Sequence, residues 1–181
     1  KKTVTVDVSG SSEKLDVEVD YEAGTSKTMM PLPEKIEEVE TAQYGSYPMV
    51  VFDGINHVIV KGPRREDAVL EAAMAKHKCD ACGIMFLEPS ADGMEKRYRM
   101  TPVVYVEETG SLVWESSCGS GSMATAVYLS KQKNDGKYVY ILKQPGGIIE
   151  ATVVKENGKT VECKMGGPVS VSLEKTVEVK V

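Results

Sequence analysis

The chain has 181 residues, enough for one large domain or two small ones, and enough to bury a core without disulfides or metal. Its 22 basic and 27 acidic side chains leave a net charge of −5, which argues against non-specific binding to nucleic acid or an anionic membrane. Hydrophobic residues make up 41%, low-complexity tracts are absent, and no apolar run approaches the roughly 18 residues of a membrane helix, so wholesale disorder and a helical membrane span are both excluded.

Lys1 leads straight into strand patterning, with neither an initiator Met nor an apolar signal core. The reading is a chain that begins inside a longer protein or has been trimmed, and that works in the cytoplasm. There Cys79, Cys82, Cys118 and Cys163 are expected to be reduced. Thr3 to Val8 and Leu15 to Tyr21 alternate apolar and polar residues as half-buried strands do, with a turn at Gly10-Ser11-Ser12. Residues 22–47, punctuated by Pro31, Pro33 and Gly45, read as irregular. Short apolar strands follow at Met49 to Phe52 and His57 to Val60, around Asp53-Gly54.

Arg64 to His77 is a good helix former, with acids early and bases late as the helix dipole favours. Ile84 to Leu87 reads as a strand; Arg97 to Glu107 and Ser111 to Glu115 flank a turn at Glu108-Thr109-Gly110. Gly121 to Lys133 is the second helix. Met123, Ala124, Ala126, Val127, Tyr128 and Leu129 make its first turns apolar on nearly every side, and such a helix must be surrounded by protein. Lys137 to Lys143, Ile148 to Lys155, Thr160 to Lys164 and Val169 to Val179 complete the strands, with Asn157-Gly158 as a hairpin turn. Strands are the only abundant partner for the second helix. The expected class is therefore α+β, a curved, barrel-like antiparallel sheet wrapped around a central buried helix. With no repeat and no linker, residues 1–181 are expected to form a single lobe.

The most informative string is Trp114-Glu115-Ser116-Ser117-Cys118-Gly119-Ser120-Gly121-Ser122, where a strand ends and the apolar helix begins. Cys118 falls at or just before a helix N-terminus, whose unpaired N–H groups favour an anion such as a carboxylate. Gly119 and Gly121 lack a Cβ and let a ligand approach the backbone. The same field stabilises a thiolate and is expected to lower the thiol pKa. Such a group suits nucleophilic attack or proton removal from carbon beside a carboxylate. The competing reading is a small thiol packed into a tight turn.

Cys118-Gly119-Ser120-Gly121 before a small-residue helix resembles the second catalytic-cysteine motif of the diaminopimelate epimerase family, two-cysteine racemases and epimerases that use no pyridoxal phosphate. Asn56-His57-Val58-Ile59-Val60 resembles that family's Asn-Pro-His segment, and Val113-Trp114-Glu115 the strand with its active-site glutamate. Gln144-Pro145-Gly146-Gly147 resembles its Pro-Gly-Gly turn, and Gly166-Gly167-Pro168-Val169 its Gly-Pro-Ala segment. The five fall in the family's order over residues 48–171, the second half of that family. The resemblance therefore implies a missing N-terminal lobe bearing the partner cysteine in a Cys-Gly-Asn-Gly motif. It makes residues 1–21 the end of that lobe or the crossing from it. The family's arginine after the glutamate is absent, and Gly83 stands at the place of an asparagine, so groups that hold a distal carboxylate are missing. A different amino acid is expected as substrate, with histidine a known choice of racemases similar to this family.

On that resemblance the chain is one lobe of a cofactor-independent amino-acid racemase or epimerase, with no metal and with a homodimer left open. Cys118 is assigned as an acid/base. The N–H groups of Gly119, Ser120, Gly121 and Ser122 are expected to hold the substrate carboxylate. Glu115 and His57 are expected to tune the thiol and meet the amine, and Asn56 to touch the carboxylate. The second histidine, His77, reads as a helix-end residue. Cys79-Asp80-Ala81-Cys82 allows a redox pair or half a zinc site, against two packed thiols. Two other functions compete: a non-catalytic β-rich binding or scaffold domain, and an isomerase of the same fold acting on other carboxylates.

Overall fold

A computed structural model of the chain describes residues 1–7, 14–170 and 176. In chain order the elements are β1 (Lys2–Val6), β2 (Leu15–Asp20), β3 (Thr25–Met29), β4 (Lys35–Thr41), β5 (Gly45–Phe52), β6 (Ile55–Val60), α1 (Glu66–Lys76), β7 (Ala81–Pro89), β8 (Arg97–Val106), β9 (Ser111–Trp114), α2 (Gly119–Ser130), β10 (Gly136–Gln144), β11 (Gly147–Glu156) and β12 (Lys159–Pro168). The expected turn at residues 10–12 and most of the strand expected over residues 169–179 lie outside the described residues. Val169 and Ser170 are not in a strand.

All the strands join one sheet in the order β1-β2-β3-β12-β11-β10-β8-β7-β6-β5-β4, with β9 added on β8. The sheet is mixed, which corrects the antiparallel expectation: β6 pairs with β7 and β8 with β10 in parallel. The reason lies in the connections. Each parallel pair is joined through a helix, α1 or α2, and a crossover of that length returns the chain in the same direction. A second correction concerns residues 22–47, where β3 and β4 form. The polar β3 shows no alternation because it is paired on both sides, to β2 and β12, and its side chains are mostly half-buried. The α+β class and the β-rich character hold.

Successive residues of each strand point to opposite faces, so alternation sorts the core into two layers. One layer packs Val50, Ile59, Met85, Met100, Leu142 and Val153 around α2. The other packs Val39, Val51, Val58, Ile84 and Val103 against Val69 and Ala73 of α1. Helix α2 touches β12, β11 and β10 as well as β7, β6 and β5. Laid flat, β12 and β5 would stand six strand spacings apart, about 29 Å, whereas a helix is only about 12 Å across. The sheet therefore curls around α2, as the helix's apolar surface requires.

Both ends of α2 are pinned. Beyond its last turn, the buried Lys155 ammonium donates to the carbonyl oxygens of Ser130, Lys131 and Lys133 at 3.0, 3.0 and 2.6 Å. A cation there answers the negative end of the helix dipole and satisfies carbonyls that the helix leaves unpaired. The Asn157-Gly158 turn has the positive φ values expected, 51° and 75°, and its two N–H groups donate to the Asp135 carboxylate. Lys155→Met fills the same space with no donor and strands three carbonyls, that of Ser130 buried and those of Lys131 and Lys133 partly so. It is expected to lower unfolding stability by about 3 kcal/mol, read as a shift in the urea midpoint at constant slope. A midpoint that does not move would show the clamp to be idle.

Candidate functional site

Strand β9 runs out at Trp114, and the Glu115 N–H extends its ladder to Pro102 O at 3.0 Å. Three residues later Cys118 is the N-cap of α2 in extended conformation, its sulfur accepting the Gly121 N–H at 3.3 Å. The loop between is held by the β10–β11 turn: Gly146 N–H donates to Ser116 O at 2.6 Å. A Cβ on Gly146 would fall 3.0 Å from that same oxygen, so this approach needs a glycine. Helix α2 starts at Gly119, two residues before the expected Gly121, because the cap is the cysteine itself.

The sulfur lies almost covered, with Cys118 only 6% exposed. Burial pushes its thiol up to about 11, and the nearby Glu115 carboxylate adds to the rise; the Gly121 N–H and the Ser120 hydroxyl, 3.7 Å away, oppose it. The lowered pKa expected from the helix terminus is thus corrected, since desolvation outweighs one N–H and one hydroxyl. In this structure the group is a thiol near neutral pH. A groove of ≈ 490 Å³ lined by Ser117, Gly146, Gly147, Ile148, Met165 and Gly167 opens beside the loop.

The amides expected to cradle a carboxylate divide into two pairs. Ser122 N–H is spent on Cys118 O at 3.1 Å and Gly121 N–H on the sulfur. The first two helical N–H groups, of Gly119 and Ser120, precede any carbonyl they can reach within the helix and are the pair left for an anion. Gly121 has its own constraint: a Cβ there would sit 2.2 Å from Met85 Sδ and 3.0 Å from Cys118 Sγ.

His57 faces the same layer as Cys118, but the Met85 side chain lies between them. A Cβ on Gly83 would fall 2.3 Å from His57 Nδ1 and 2.9 Å from Met85 Cε, and Met85 also touches Gly121. The imidazole fills the space a larger residue at position 83 would need, which accounts for glycine there. His57 is fully buried and both its ring nitrogens lack a partner. Burial drives its pKa down to about 3, so it is neutral. His57, expected to tune the thiol, makes no hydrogen bond to it.

Asn56 is not brought to Cys118 in this structure. It follows the alternation onto the opposite face, where its Nδ2 meets His77 O at 3.1 Å and Cys79 Sγ at 3.0 Å. One residue of strand separates it from His57, and that step moves it away from Cys118 and into the α1 layer. His77 caps the end of α1, as expected. Cys79 and Cys82 are free thiols in the same layer, Cys79 donating to Ala81 O at 2.9 Å and Cys82 pushed up to about 12 by burial. Among the described residues no three His, Cys, Asp or Glu side chains converge on a metal site. Both thiols of the C-x-x-C are free, Cys79 half-buried and Cys82 buried.

One residue of the site carries no role in the sequence reading. Gln144, at the end of β10 and 4% exposed, accepts the Cys118 N–H through Oε1 at 2.8 Å and donates from Nε2 to Ser122 Oγ at 2.9 Å. Ser122 Oγ then donates to Cys118 O at 2.6 Å and closes a buried ring. A signal was present: Tyr140, Leu142 and Gln144 share one parity, so the strand pattern that buries the first two turns a polar amide inward.

The fold is shared with a probable proline racemase from Agrobacterium radiobacter K84, at a TM-score of 0.58 and 16% identity over 96% of this chain and 61% of that one. A hydroxyproline epimerase from Agrobacterium vitis matches at a TM-score of 0.53 and 12% identity, over 86% of this chain and 53% of that one. A histidine racemase of Fusobacterium nucleatum subsp. nucleatum is 31% identical over 185 residues, covering 96% of this chain and 64% of the relative. The chain thus spans somewhat under two thirds of that relative's length. The family model that matches residues 1–177 is described as the histidine racemase CntK N-terminal domain. This corrects the assignment to the second half of a diaminopimelate epimerase. A Cys-Gly-x-Gly motif occurs in both halves of the family resembled, so one copy could not tell which half it was. With all but its last four residues inside the match, the chain belongs to the histidine racemase CntK N-terminal domain family.

Proposed function

We propose that this chain is the first domain of an amino-acid racemase that inverts histidine at Cα by proton transfer, with Cys118 as one acid/base group and without pyridoxal phosphate. The observation that carries the reading is a single thiol capping the N-terminus of a buried helix, with two amides to spare beside it. The histidine racemase relative supports the substrate. The departures from a distal-carboxylate site support an amino acid other than diaminopimelate.

In the forward direction a sulfur anion takes the α-proton, and the electron pair of the broken C–H bond passes into the substrate carboxylate. The Gly119 and Ser120 N–H groups stabilise the charge that develops there. An acid on the opposite face returns a proton to Cα, so one group ends protonated and the other deprotonated. Cys118, held as a thiol by burial, is the donor in one direction and the acceptor in the reverse. The second group belongs to the rest of the protein. Glu115, beside the thiol, is positioned for the substrate ammonium. His57 supports this wall of the site through Met85 rather than touching substrate.

The test is to incubate the full-length protein with L-histidine in D2O, beside L-proline and diaminopimelate. Deuterium at Cα together with D-histidine is the expected result. Label in another amino acid would move the substrate, and no label in any would return the domain to the scaffold reading.

A further inference from the structure

The buried ring around the cap residue has a consequence for the reaction. A thiol that must reach a carbon-bound proton needs its sulfur held to a fraction of an ångström, and misplacement by about 1 Å can cost roughly 10²-fold in rate. The Cys118 side chain has a single rotatable bond to its sulfur, so the sulfur is placed by the backbone of residue 118. That backbone is held at both ends by the same side chain. Gln144 takes the Cys118 N–H directly and secures the Cys118 carbonyl through the Ser122 hydroxyl. Two further ties come from the first turn of α2 itself, the Ser122 N–H to the Cys118 carbonyl at 3.1 Å and the Gly121 N–H to the sulfur at 3.3 Å, whereas Gln144 supplies the tie that comes from across the core.

Gln144 comes from β10, a strand that α2 packs against, and it reaches the cap across the core. The next residues, Pro145-Gly146-Gly147, turn so that Gly146 N–H fastens Ser116 O. One strand end thus grips the thiol-bearing loop at residues 116, 118 and 122. Both ends of the amide are satisfied, so an apolar residue at 144 leaves the Cys118 N–H buried without an acceptor.

We infer that Gln144 is the positioning residue for the Cys118 thiol, acting through the backbone of the cap and never touching substrate. This rests on the acid/base reading of Cys118, and its test must separate the two. In the full-length protein, Gln144→Met keeps the volume and removes both hydrogen bonds. The expected result is a loss of roughly 10²-fold in kcat for histidine inversion, with KM within about threefold, because the amides that bind substrate remain. The primary deuterium isotope effect from α-deuterated histidine is expected to rise for the enantiomer whose proton Cys118 takes, and not for its mirror image. The fall in kcat/KM is itself obliged to be the same for both enantiomers, since neither is favoured at equilibrium, so the discriminating reading is the isotope effect, which a general loosening of the fold would change alike for the two. Gln144→Glu keeps an acceptor for the Cys118 N–H and is expected to recover most of the rate. Should Gln144→Met fail to fold, Ser122→Ala opens the same ring from the helix side and carries the same prediction.

Wild-type kcat in Gln144→Met, or an isotope effect that rises equally for both enantiomers, would overturn the inference. Cys118→Ala run in parallel assigns the failure. If that variant is inactive while Gln144→Met is normal, only the positioning role falls. If Cys118→Ala still exchanges the α-proton, the acid/base reading falls with it.

Discussion

Replacing Cys118 by Ala in the full-length protein is expected to slow histidine inversion by about 10³-fold, the middle of the range that a positioned acid or base contributes. That loss corresponds to about 4 kcal/mol of transition-state stabilisation. The argument is geometric. The thiol caps the mouth of α2, and its neighbours are a hydroxyl, an amide and Glu115. KM should change little, since the Gly119 and Ser120 N–H groups survive the substitution. The fold should survive as well, because alanine at a cap keeps the Gln144 contact, which runs to the backbone. Circular dichroism and kcat are measured together, and a folded variant within about threefold of wild type would remove Cys118 from the mechanism. Exchange of the α-proton from solvent gives the finer reading: the enantiomer served by Cys118 loses its label uptake first.

Acid is expected to destabilise the domain through His57. The sign follows from the two pKa values. In the unfolded chain the imidazole titrates near 6.5, and in the folded chain burial holds it down at about 3. The unfolded state therefore binds the extra proton between those limits. The contribution is fully present above pH 6.5 and is lost as the pH falls toward 3, at a slope of about 1.4 kcal/mol per pH unit and a total of about 5 kcal/mol. His57→Leu removes the titration. Both ring nitrogens are unpartnered in the folded chain, so leucine breaks no hydrogen bond, and its stability at pH 7 is expected within about 1 kcal/mol of wild type. Urea midpoints from pH 7 to pH 3.5 test this. Parallel curves for wild type and variant would show that His57 is not the source of the acid sensitivity. The same variant reports on chemistry: with Met85 intervening, His57→Leu should retain most of its kcat.

The legible parts of this molecule were those governed by neighbours in the chain. Alternation from Leu15, from Arg97 and from Lys137 marks β2, β8 and β10, since a strand's faces are set by parity alone. Asn157-Gly158 announces its turn because both residues tolerate positive φ. The all-round apolar surface of α2 announces a helix enclosed by sheet, and the run from Glu115 through Ser122 places a thiol at its start. The five motifs that resembled an epimerase lay along that same local grammar and led toward relatives that are racemases and epimerases, though the family that matches is the histidine racemase CntK N-terminal domain and not the second half of a diaminopimelate epimerase.

Tertiary structure decided what depends on distant partners. The strand character of β3 comes from pairing with β2 and β12, because its own polar residues specify no face. The side of the sheet that Asn56 joins was set once β6 docked beside β7, which put it with α1 and left His57 to the inner layer. The ionisation of Cys118 is a balance between a helix terminus, visible in the sequence, and desolvation by Met85 and the surrounding core, which is not. Gln144 reaches the cap across 26 residues of chain, a contact that only the curl of the sheet creates. Local propensity acts through a few bonds and is written in order along the chain. Burial and hydrogen-bond partnership act through space, and folding alone brings those residues together.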